Sequence, residues 1–308
     1  MKIAIVCYPT FGGSGVVATE LGIALSKRGH EIHFITYKQP VRLELLSSNV
    51  HFHEVNVPEY PLFHYQPYEL ALSSKLVNVI RNHRIDLLHV HYAIPHAYAG
   101  YMAKKMLQSE GITIPMVTTL HGTDITLVGN HPFYKPAVTF SINNSDVITC
   151  VSESLKQDTL RHFEVTKDID VVHNFIDTNV SEKVFTDCQR DLMAEADEKI
   201  ITHISNLRPV KRLNDVVSVL GQSNEIDKIL CFSDLFLLPS EAESFGLAAL
   251  EAMVDGVPVI SSNAGGLPEV NIHGESGFLS DVGDIDDMAA NALKIFKDEK
   301  TLKEFKER

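Results

Sequence analysis

The sequence lacks any apolar run of the roughly 18 residues that a membrane-spanning helix needs. Its opening, MKIAIVCY, is too short and too quickly followed by glycines to be a secretory signal. We therefore expect a protein without a membrane anchor.

Cysteine is scarce, and no two cysteines show the CxxC spacing of a metal or redox motif. Three of the four lie in apolar or strand-like stretches, which favours reduced thiols and a cytoplasmic location. The four are Cys7, Cys150, Cys188 and Cys231.

Positive charge is also in short supply. The chain has 27 lysines and arginines against 40 acidic residues, a formal net charge of −13. A nucleic-acid partner is not expected, because phosphate binding requires a basic surface. An anionic ligand would need cations placed locally. With 308 residues, 44% of them apolar, the chain can build two ordinary domains.

The first half alternates apolar strand patterns with helical patterns, which predicts a parallel sheet covered on both faces. The predicted helices are 15–29 and 68–84. The predicted strands are 2–8, 31–37, 50–57, 86–92, 114–120, 146–152 and 169–174.

A polar, linker-like stretch at 177–199 precedes a second strand–helix series. We predict two doubly wound Rossmann-like domains, 1–175 and 176–308. The second is too short for its βαβ units. A strand–helix–strand block is missing near Leu220–Gly221, either deleted or left out of this sequence, and the intact flanking motifs favour omission. The second series comprises strands 200–206, 235–240 and 257–261, with helices from Lys211, around 246–254 and after Asp284.

Glycine-rich PTFGGSG follows the first strand and precedes the first helix. Glycines there let the backbone approach a phosphate and leave helix N–H groups free to bind it. The turn is not GxGxxG, and such turns are common without a ligand. Both interpretations stay open for Gly12, Gly13 and Gly15.

HISNLRPVKRLND places Arg208 and Lys211 between a strand and a predicted helix start. Two cations at a helix N-terminus oppose the helix dipole, so they are poor structural choices. They suit a diphosphate held between them. The alternative is a solvated basic turn, which an acidic chain makes less attractive.

SEAESFGLAALEAM carries Glu243 and Glu251 around a helix start, where Phe245 and Gly246 would allow close approach of a ligand. Carboxylates accept hydrogen bonds from paired hydroxyls, which suits sugars and ribose. Ordinary surface glutamates are the alternative. NAGGLPEV, with Gly265, Gly266 and Glu269, is a further backbone-approach site.

Histidines follow two strands of the first half. TTLHGTD places His121 and Asp124 at a strand end, and HVHY places His89 and His91 on one strand face. An HxH pair can bind a metal, but no third ligand at suitable spacing is evident. A structural role is therefore favoured.

Together these motifs resemble the retaining glycosyltransferases of family 4, with the two-domain GT-B architecture. The resemblance runs from the glycine-rich turn through RPVKR to ESFGLAALEAM and GGLPEV, and its E-x7-E signature is Glu243 to Glu251. It implies an acceptor-binding first domain and a nucleotide-sugar-binding second domain.

The resemblance implies specific roles. The donor diphosphate would be held by Gly13, Arg208 and Lys211. Glu251 would bind the ribose of uridine, and Glu243 the hydroxyls of the transferred sugar, with His121 beside that sugar. The residues implied to bind the donor are Gly13, Arg208, Lys211, Glu243, Phe245, Gly246 and Glu251, and those implied to frame the acceptor are Ser14, Tyr92, Thr119 and Asn206.

CYPTFGGSGVVATELG and its surroundings are closer still to one member of the family. That likeness implies transfer of N-acetylglucosamine from UDP-N-acetylglucosamine to L-malate, the first step of bacillithiol biosynthesis. No metal or other cofactor is expected, because no DxD-like pair lies where a diphosphate-bound metal would sit. A homo-oligomer is compatible with the sequence.

Three alternatives remain at this stage. One is a family relative with an inositol phosphate or lipid acceptor. Another is a metal-dependent hydrolase using His89, His91 and His121. The last is a nucleotide-sugar sensor without catalysis, which release of UDP in a single turnover would exclude.

Overall fold

A computed structural model describes residues 1–10, 12–43, 48–59, 61, 64–177, 190–195, 197–205, 211–212 and 229–306. The chain divides into two compact units, Met1–His173 and Asn174–Arg308. Most of the predicted linker and the join at Leu220–Gly221 lie outside the described residues. Of the helix predicted from Lys211 onward, the structure describes Lys211 and Arg212.

The N-terminal unit contains a seven-stranded sheet in the order β3-β2-β1-β4-β5-β6-β7, with every pair parallel. Its strands are β1 Lys2–Val6, β2 Glu31–Thr36, β3 Val50–Glu54, β4 Leu87–His91, β5 Met116–Leu120, β6 Val147–Cys150 and β7 Asp170–Val171. Its helices are α1 Gly13–Lys27, α2 Tyr68–His83, α3 Tyr98–Gln108, α4 Lys135–Asn143 and α5 Glu153–His162.

The central strand β1 is apolar and buried from Ile3 to Val6 because both faces of the sheet are covered. One core, around Ala4 and Val6, packs against α2 and α3. The other, around Ile3 and Ile5, packs against α1 and Phe34. The strand order reverses direction between β1 and β4, which makes this the topological switch point of the sheet.

The C-terminal unit contains a four-stranded parallel sheet in the order β11-β10-β9-β8. Two apolar cores flank it, one around Phe236 and Ala249 and the other around Leu235 and Ile260. Its described strands are β8 Ile201–Thr202, β9 Leu235–Leu238, β10 Val259–Ser262 and β11 Gly277–Ser280, and its described helices are α6 Leu247–Val254, α7 Leu267–Val270, α8 Ile285–Lys297 and α9 Glu299–Lys306.

The predicted α/β class is confirmed, with shorter strands than the patterns indicated. Strand 169–174 shrinks to Asp170–Val171, and of strand 200–206 the described part contains Ile201–Thr202. Among the described strands both lie at the edge of their sheet with one neighbour, where fewer residues are held in the ladder. None of the described helices combines the length and apolarity that crossing a membrane demands.

Candidate functional site

The N-terminal unit brings two predicted acceptor residues together at its switch point. Ser14 lies in the first turn of α1, just after β1, and Tyr92 directly follows β4. The Tyr92 hydroxyl donates to Ser14 Oγ over 2.8 Å. Ligands of open α/β sheets bind at the carboxyl ends of strands where the strand order reverses, so this is the expected place for a substrate.

Tyr92 has an unusual backbone. Its φ is 83°, a left-handed conformation that a bulky residue rarely adopts. The conformation persists because the Tyr92 N–H donates to the Thr119 carbonyl (2.9 Å) and the side chain reaches Ser14. Strain of this kind clusters at functional sites.

The hydroxyl of Thr119, a predicted acceptor residue, has two hydrogen-bond partners within the protein. Its Oγ1 lies 2.8 Å from His89 Nε2 and 2.7 Å from Thr149 Oγ1. The side chain is buried, with 8% exposure. These contacts hold the Thr119 side chain in place, and its role at the acceptor stays a prediction.

His121 forms part of a buried histidine pair across β4 and β5. Its Nε2 lies 2.8 Å from His91 Nδ1, and its ring centroid is 5.2 Å from that of Tyr92. Burial lowers the pKa of His121 to about 3, so the imidazole is neutral at pH 7. It can exchange a hydrogen bond with a substrate without adding charge.

Asp124 anchors the turn that carries His121. Its carboxylate accepts from the backbone N–H of Ala93, at 2.8 Å, and from those of His121 and Gly122, at 3.2 and 3.1 Å. Burial raises the pKa of Asp124 to about 6, and those backbone hydrogen bonds oppose the shift. The residue thus ties the ends of β4 and β5 together.

Tyr8 and His96 also lie beside Tyr92, and sequence reasoning missed both as site residues. Their ring centroids are 4.5 Å apart, and that of Tyr8 is 5.2 Å from that of Tyr92. No motif marks either residue. The available signal was position, since each closely follows a strand that flanks the switch point.

Gly13 is the first residue of α1 and is exposed, as a backbone contact with a phosphate would need. Gly15 has a structural reason to be glycine. A Cβ there would lie 2.5 Å from the carbonyl oxygens of Tyr8 and Thr10. Position 15 therefore requires glycine because one stretch of backbone packs directly against another there.

In the C-terminal unit, Lys211 and Glu243 form a direct ion pair. Both side chains are largely buried, at 15% and 19% exposure. The predicted diphosphate-binding cation and the predicted sugar-binding carboxylate therefore lie at one place. The Glu243 loop follows β9, at the carboxyl edge of the sheet.

The NAGGLPEV turn packs its backbone against the Glu243 loop, and its approach to a ligand stays a prediction. Gly266 N–H donates to the Glu243 carbonyl over 2.9 Å. A Cβ on Gly265, which has φ of +56°, would lie 1.9 Å from that carbonyl oxygen. The two glycines hold Glu243 in place.

Phe245 and Gly246 have structural roles at the start of α6. Phe245 is buried, and Gly246 caps the helix in a left-handed conformation with φ of 99°. A Cβ on Gly246 would lie 2.6 Å from Leu267 Cδ2. Since α6 begins at Leu247, Glu251 lies about one turn into the helix.

Arg208 and Asn206 lie outside the described residues, so the structure describes one member of the predicted basic pair, Lys211. Arg212 directs its Nη1 at Glu241 Oε1, 3.3 Å away. The donor roles of Gly13 and His121 and the acceptor role of Asn206 stay predictions.

The HxH alternative finds no support in the geometry. The rings of His89 and His91 do share a face, with centroids 4.6 Å apart. His89 directs its Nε2 at Thr119, however, and His91 pairs with His121. Within the described ranges, the side chains that converge as a metal-binding group lie elsewhere, on β2, β3 and α2.

Known structures define the class of this protein. A structure of Anabaena Alr3699/HepE in complex with UDP-glucose superposes with a TM-score of 0.81 at 17% identity, covering 99% of this chain and 92% of that chain. Sucrose-phosphate synthase from Thermosynechococcus elongatus gives 0.76 at the same identity and the same coverage. The fold is that of the GT-B glycosyltransferases.

Sequence comparison gives the family. Residues 11–180 match Glycosyltransferase Family 4, and residues 202–308 match Glycosyl transferases group 1. N-acetyl-alpha-D-glucosaminyl L-malate synthase of Bacillus anthracis is 44% identical, over 100% of this chain and 91% of the relative. The chain therefore belongs to glycosyltransferase family 4.

The alignment with the Bacillus anthracis relative runs over 348 positions, whereas this chain has 308 residues. The relative therefore carries positions without a counterpart here.

Proposed function

We propose that this glycosyltransferase transfers N-acetylglucosamine from UDP-N-acetylglucosamine to L-malate with retention of the anomeric configuration. The observation that carries the proposal is the 44% identity to the malate synthase along the whole chain. In this proposal the C-terminal unit binds the nucleotide sugar and the N-terminal unit binds the acceptor.

The Lys211–Glu243 pair supports the donor assignment. The acidic side chain holds the lysine ammonium in a largely buried position. A diphosphate would compete for that ammonium through charge-assisted hydrogen bonds, releasing Glu243 to accept from the sugar hydroxyls. Arg208 would add a second cation, and Glu251 would bind the ribose.

The Ser14–Tyr92 contact supports the acceptor assignment. Two hydroxyls meet at the N-terminal end of α1, where helix N–H groups and the helix dipole favour an anion. L-Malate is a small dianion, so it needs such local donors in a chain with a net charge of −13.

The chemical step needs no protein nucleophile. The malate hydroxyl oxygen bonds to the anomeric carbon on the face that UDP leaves, and the bond from that carbon to the diphosphate oxygen breaks. The hydroxyl proton passes to the leaving diphosphate. Lys211 and Arg208 stabilise the negative charge that develops there, which is electrostatic catalysis.

We also propose that this step uses no metal ion, because the cations of the chain can neutralise the leaving group in place of a metal. We also propose a cytoplasmic location, which the buried thiols of Cys7 and Cys150 support.

The decisive experiment offers UDP-N-acetylglucosamine with each candidate acceptor in turn and measures UDP release and product mass. L-Malate should give the α-glucosaminide. Succinate has no hydroxyl and should give none, and D-malate should be poor because its hydroxyl points away from the sugar.

A different acceptor would change the assignment. D-inositol 3-phosphate glycosyltransferase of Corynebacterium glutamicum is 22% identical over 88% of this chain and 80% of the relative, so inositol phosphate belongs in the panel. Glycosylation of inositol phosphate without glycosylation of L-malate would reject the malate assignment and leave the family intact.

A further inference from the structure

Four histidines and a glutamate gather on one face of the N-terminal unit, away from the switch point. Glu31 and His33 are two residues apart on β2, and His51 and His53 are two residues apart on β3. Residues at this spacing lie on one face of a strand, and the pairing of β2 with β3 places all four side chains on the same face of the sheet. His33 lies opposite His51 in the register. His83, the last residue of α2, covers this face.

Three of these side chains converge as metal ligands would. One ligand atom from each of His33, His53 and His83 lies within 4.8 Å of the others. His33 Nδ1 and His53 Nε2 are 2.9 Å apart. A tetrahedral zinc site with Zn–N distances of about 2.0–2.1 Å separates its nitrogens by about 3.3 Å. The His33 and His53 nitrogens would therefore move apart by a few tenths of an ångström, and the His83 nitrogen would move closer by at most about 1.5 Å.

Glu31 orients the central ligand. His33 is fully buried, and its Nε2 lies 3.1 Å from Glu31 Oε1. An N–H donated to that carboxylate leaves the Nδ1 lone pair facing His53. This is the carboxylate–histidine–metal arrangement that fixes the tautomer of a metal ligand and raises its basicity.

We propose that His33, His53 and His83 bind a divalent transition-metal ion, with Zn²⁺ as the best match, and that Glu31 orients His33. Imidazole ligands suit zinc, copper and nickel, and three of them leave a fourth position for water. The carboxyl end of α2, where His83 lies, also favours a cation through the helix dipole.

A second group, Glu31, His33 and His51, also has its ligand atoms within 4.8 Å. It is less suited to a metal, because Glu31 already pairs with the ammonium of Lys2 at 3.1 Å. Recruiting Glu31 as a direct ligand would also remove the acceptor that orients His33.

The site lies apart from the proposed reaction. His83 ends a helix that runs antiparallel to the strands, so the cluster faces the amino edge of the sheet, opposite Tyr92 and His121. We therefore assign the metal a structural role, linking β2 and β3 to the last turn of α2.

The test uses the tag-free, full-length protein, stripped with a chelator and then freed of it. We expect one equivalent of Co²⁺ to bind, with the visible absorption of a low-coordinate nitrogen site, and Zn²⁺ to displace it. Zn²⁺ should also raise the thermal midpoint of unfolding, since it binds the folded state preferentially.

The variants separate ligands from neighbours. His53→Gln and His83→Gln should each weaken Zn²⁺ binding on the order of a hundredfold, and Glu31→Gln should weaken it about 10–100-fold without changing the stoichiometry. His64→Gln, at an exposed histidine elsewhere, is the matched control and should bind as the unchanged protein does.

Two outcomes would overturn the proposal. One is the absence of stoichiometric Co²⁺ or Zn²⁺ binding by the unchanged protein. The other is binding that survives in His53→Gln and His83→Gln but is lost in His51→Gln, which would place the metal in the second group. Either result leaves the glycosyltransferase assignment untouched, since UDP release is measured separately.

Discussion

Lys211 is the residue on which the donor assignment depends most directly. Its ammonium pairs with Glu243 at the carboxyl edge of the C-terminal sheet. We predict that Lys211→Ala lowers kcat about a hundredfold, on the order of 3 kcal/mol, because one charge-assisted contact to a developing charge is lost. Steady-state kinetics with UDP-N-acetylglucosamine measures this.

The control for that variant is Lys104→Ala, which removes another partly buried lysine paired with a carboxylate, Asp146. It should retain turnover, and circular dichroism should show both variants folded. Normal turnover in Lys211→Ala would reject the role of the lysine.

Substitutions of Glu243 and Glu251 should have different effects, because Glu243 is proposed to contact the reacting sugar and Glu251 the ribose. We predict that Glu251→Ala weakens UDP binding, while Glu243→Ala mainly lowers kcat. Calorimetric titration with UDP and steady-state kinetics measure the two effects. Equal losses of UDP affinity would show that the two roles are wrongly divided.

At the scale of elements, the turn before α7 holds the loop after β9. Gly265→Ala should destabilise the C-terminal unit and lower turnover, because the new Cβ would lie 1.9 Å from the Glu243 carbonyl oxygen. Gly274→Ala is a matched control. Its φ of +78° carries a similar conformational cost, but nothing lies within 4 Å of the new Cβ.

Thermal unfolding of the two variants provides the comparison. The control should lose about 1–2 kcal/mol, the cost of a left-handed conformation in a residue with a Cβ. Gly265→Ala should lose more, and it alone should lower kcat. Equal losses in both would mean that the loop relaxes around the methyl group at no cost.

The ends of β4 and β5 carry histidines that are buried in their neutral form. Burial lowers the pKa of His89 and of His96 to about 4, and that of His121 to about 3. An unfolded histidine titrates near 6.5. The unfolded chain therefore binds more protons between these values, so stability is fully present above about pH 6.5 and falls as pH drops toward 4.

We predict a lower thermal midpoint at about pH 5 than at about pH 7.5, with a smaller drop in His89→Gln than in the unchanged protein. Each such histidine contributes up to about 1.4 kcal/mol per pH unit. The exposed His64→Gln serves as control and should keep the full drop. A drop of the same size in His89→Gln would contradict the contribution of buried, neutral His89 to the pH dependence of stability.

At the scale of the whole molecule, chelation separates the two proposals. Turnover should survive EDTA, because cationic side chains are proposed to stabilise the leaving diphosphate. The thermal midpoint should fall, because the metal proposed at His33, His53 and His83 is removed. Both are measured on the same preparation, with turnover assayed at a temperature below the midpoint.

Complete loss of turnover on chelation, restored by a divalent cation, would reject metal-independent transfer. An unchanged midpoint together with unchanged turnover would count against the metal site alone. The unchanged protein in buffer without chelator is the reference for both measurements.

The sequence by itself determined the class of fold and the motifs of the C-terminal unit. Continuous apolar strands alternating with helical periodicity require a parallel sheet covered on both faces, since only that arrangement buries both sides of each strand. The spacing from Glu243 to Glu251 is likewise local, because one strand end, one loop and one helix start carry both residues.

The tertiary structure decided which distant residues meet. Ser14 and Tyr92 touch only because β1 and β4 are neighbours at the switch point. GGLPEV looks locally like a ligand loop, yet Gly266 donates to the carbonyl of Glu243, which lies before α6 and β10 in the chain.

The histidine cluster depends on tertiary structure even more strongly. His33, His53 and His83 have no motif spacing, and they converge because β2 pairs with β3 in one register and α2 ends above them. Local periodicity can be predicted from the sequence, since it depends on neighbouring residues. Register and helix placement depend on the packing of the whole unit, so only the fold reveals them.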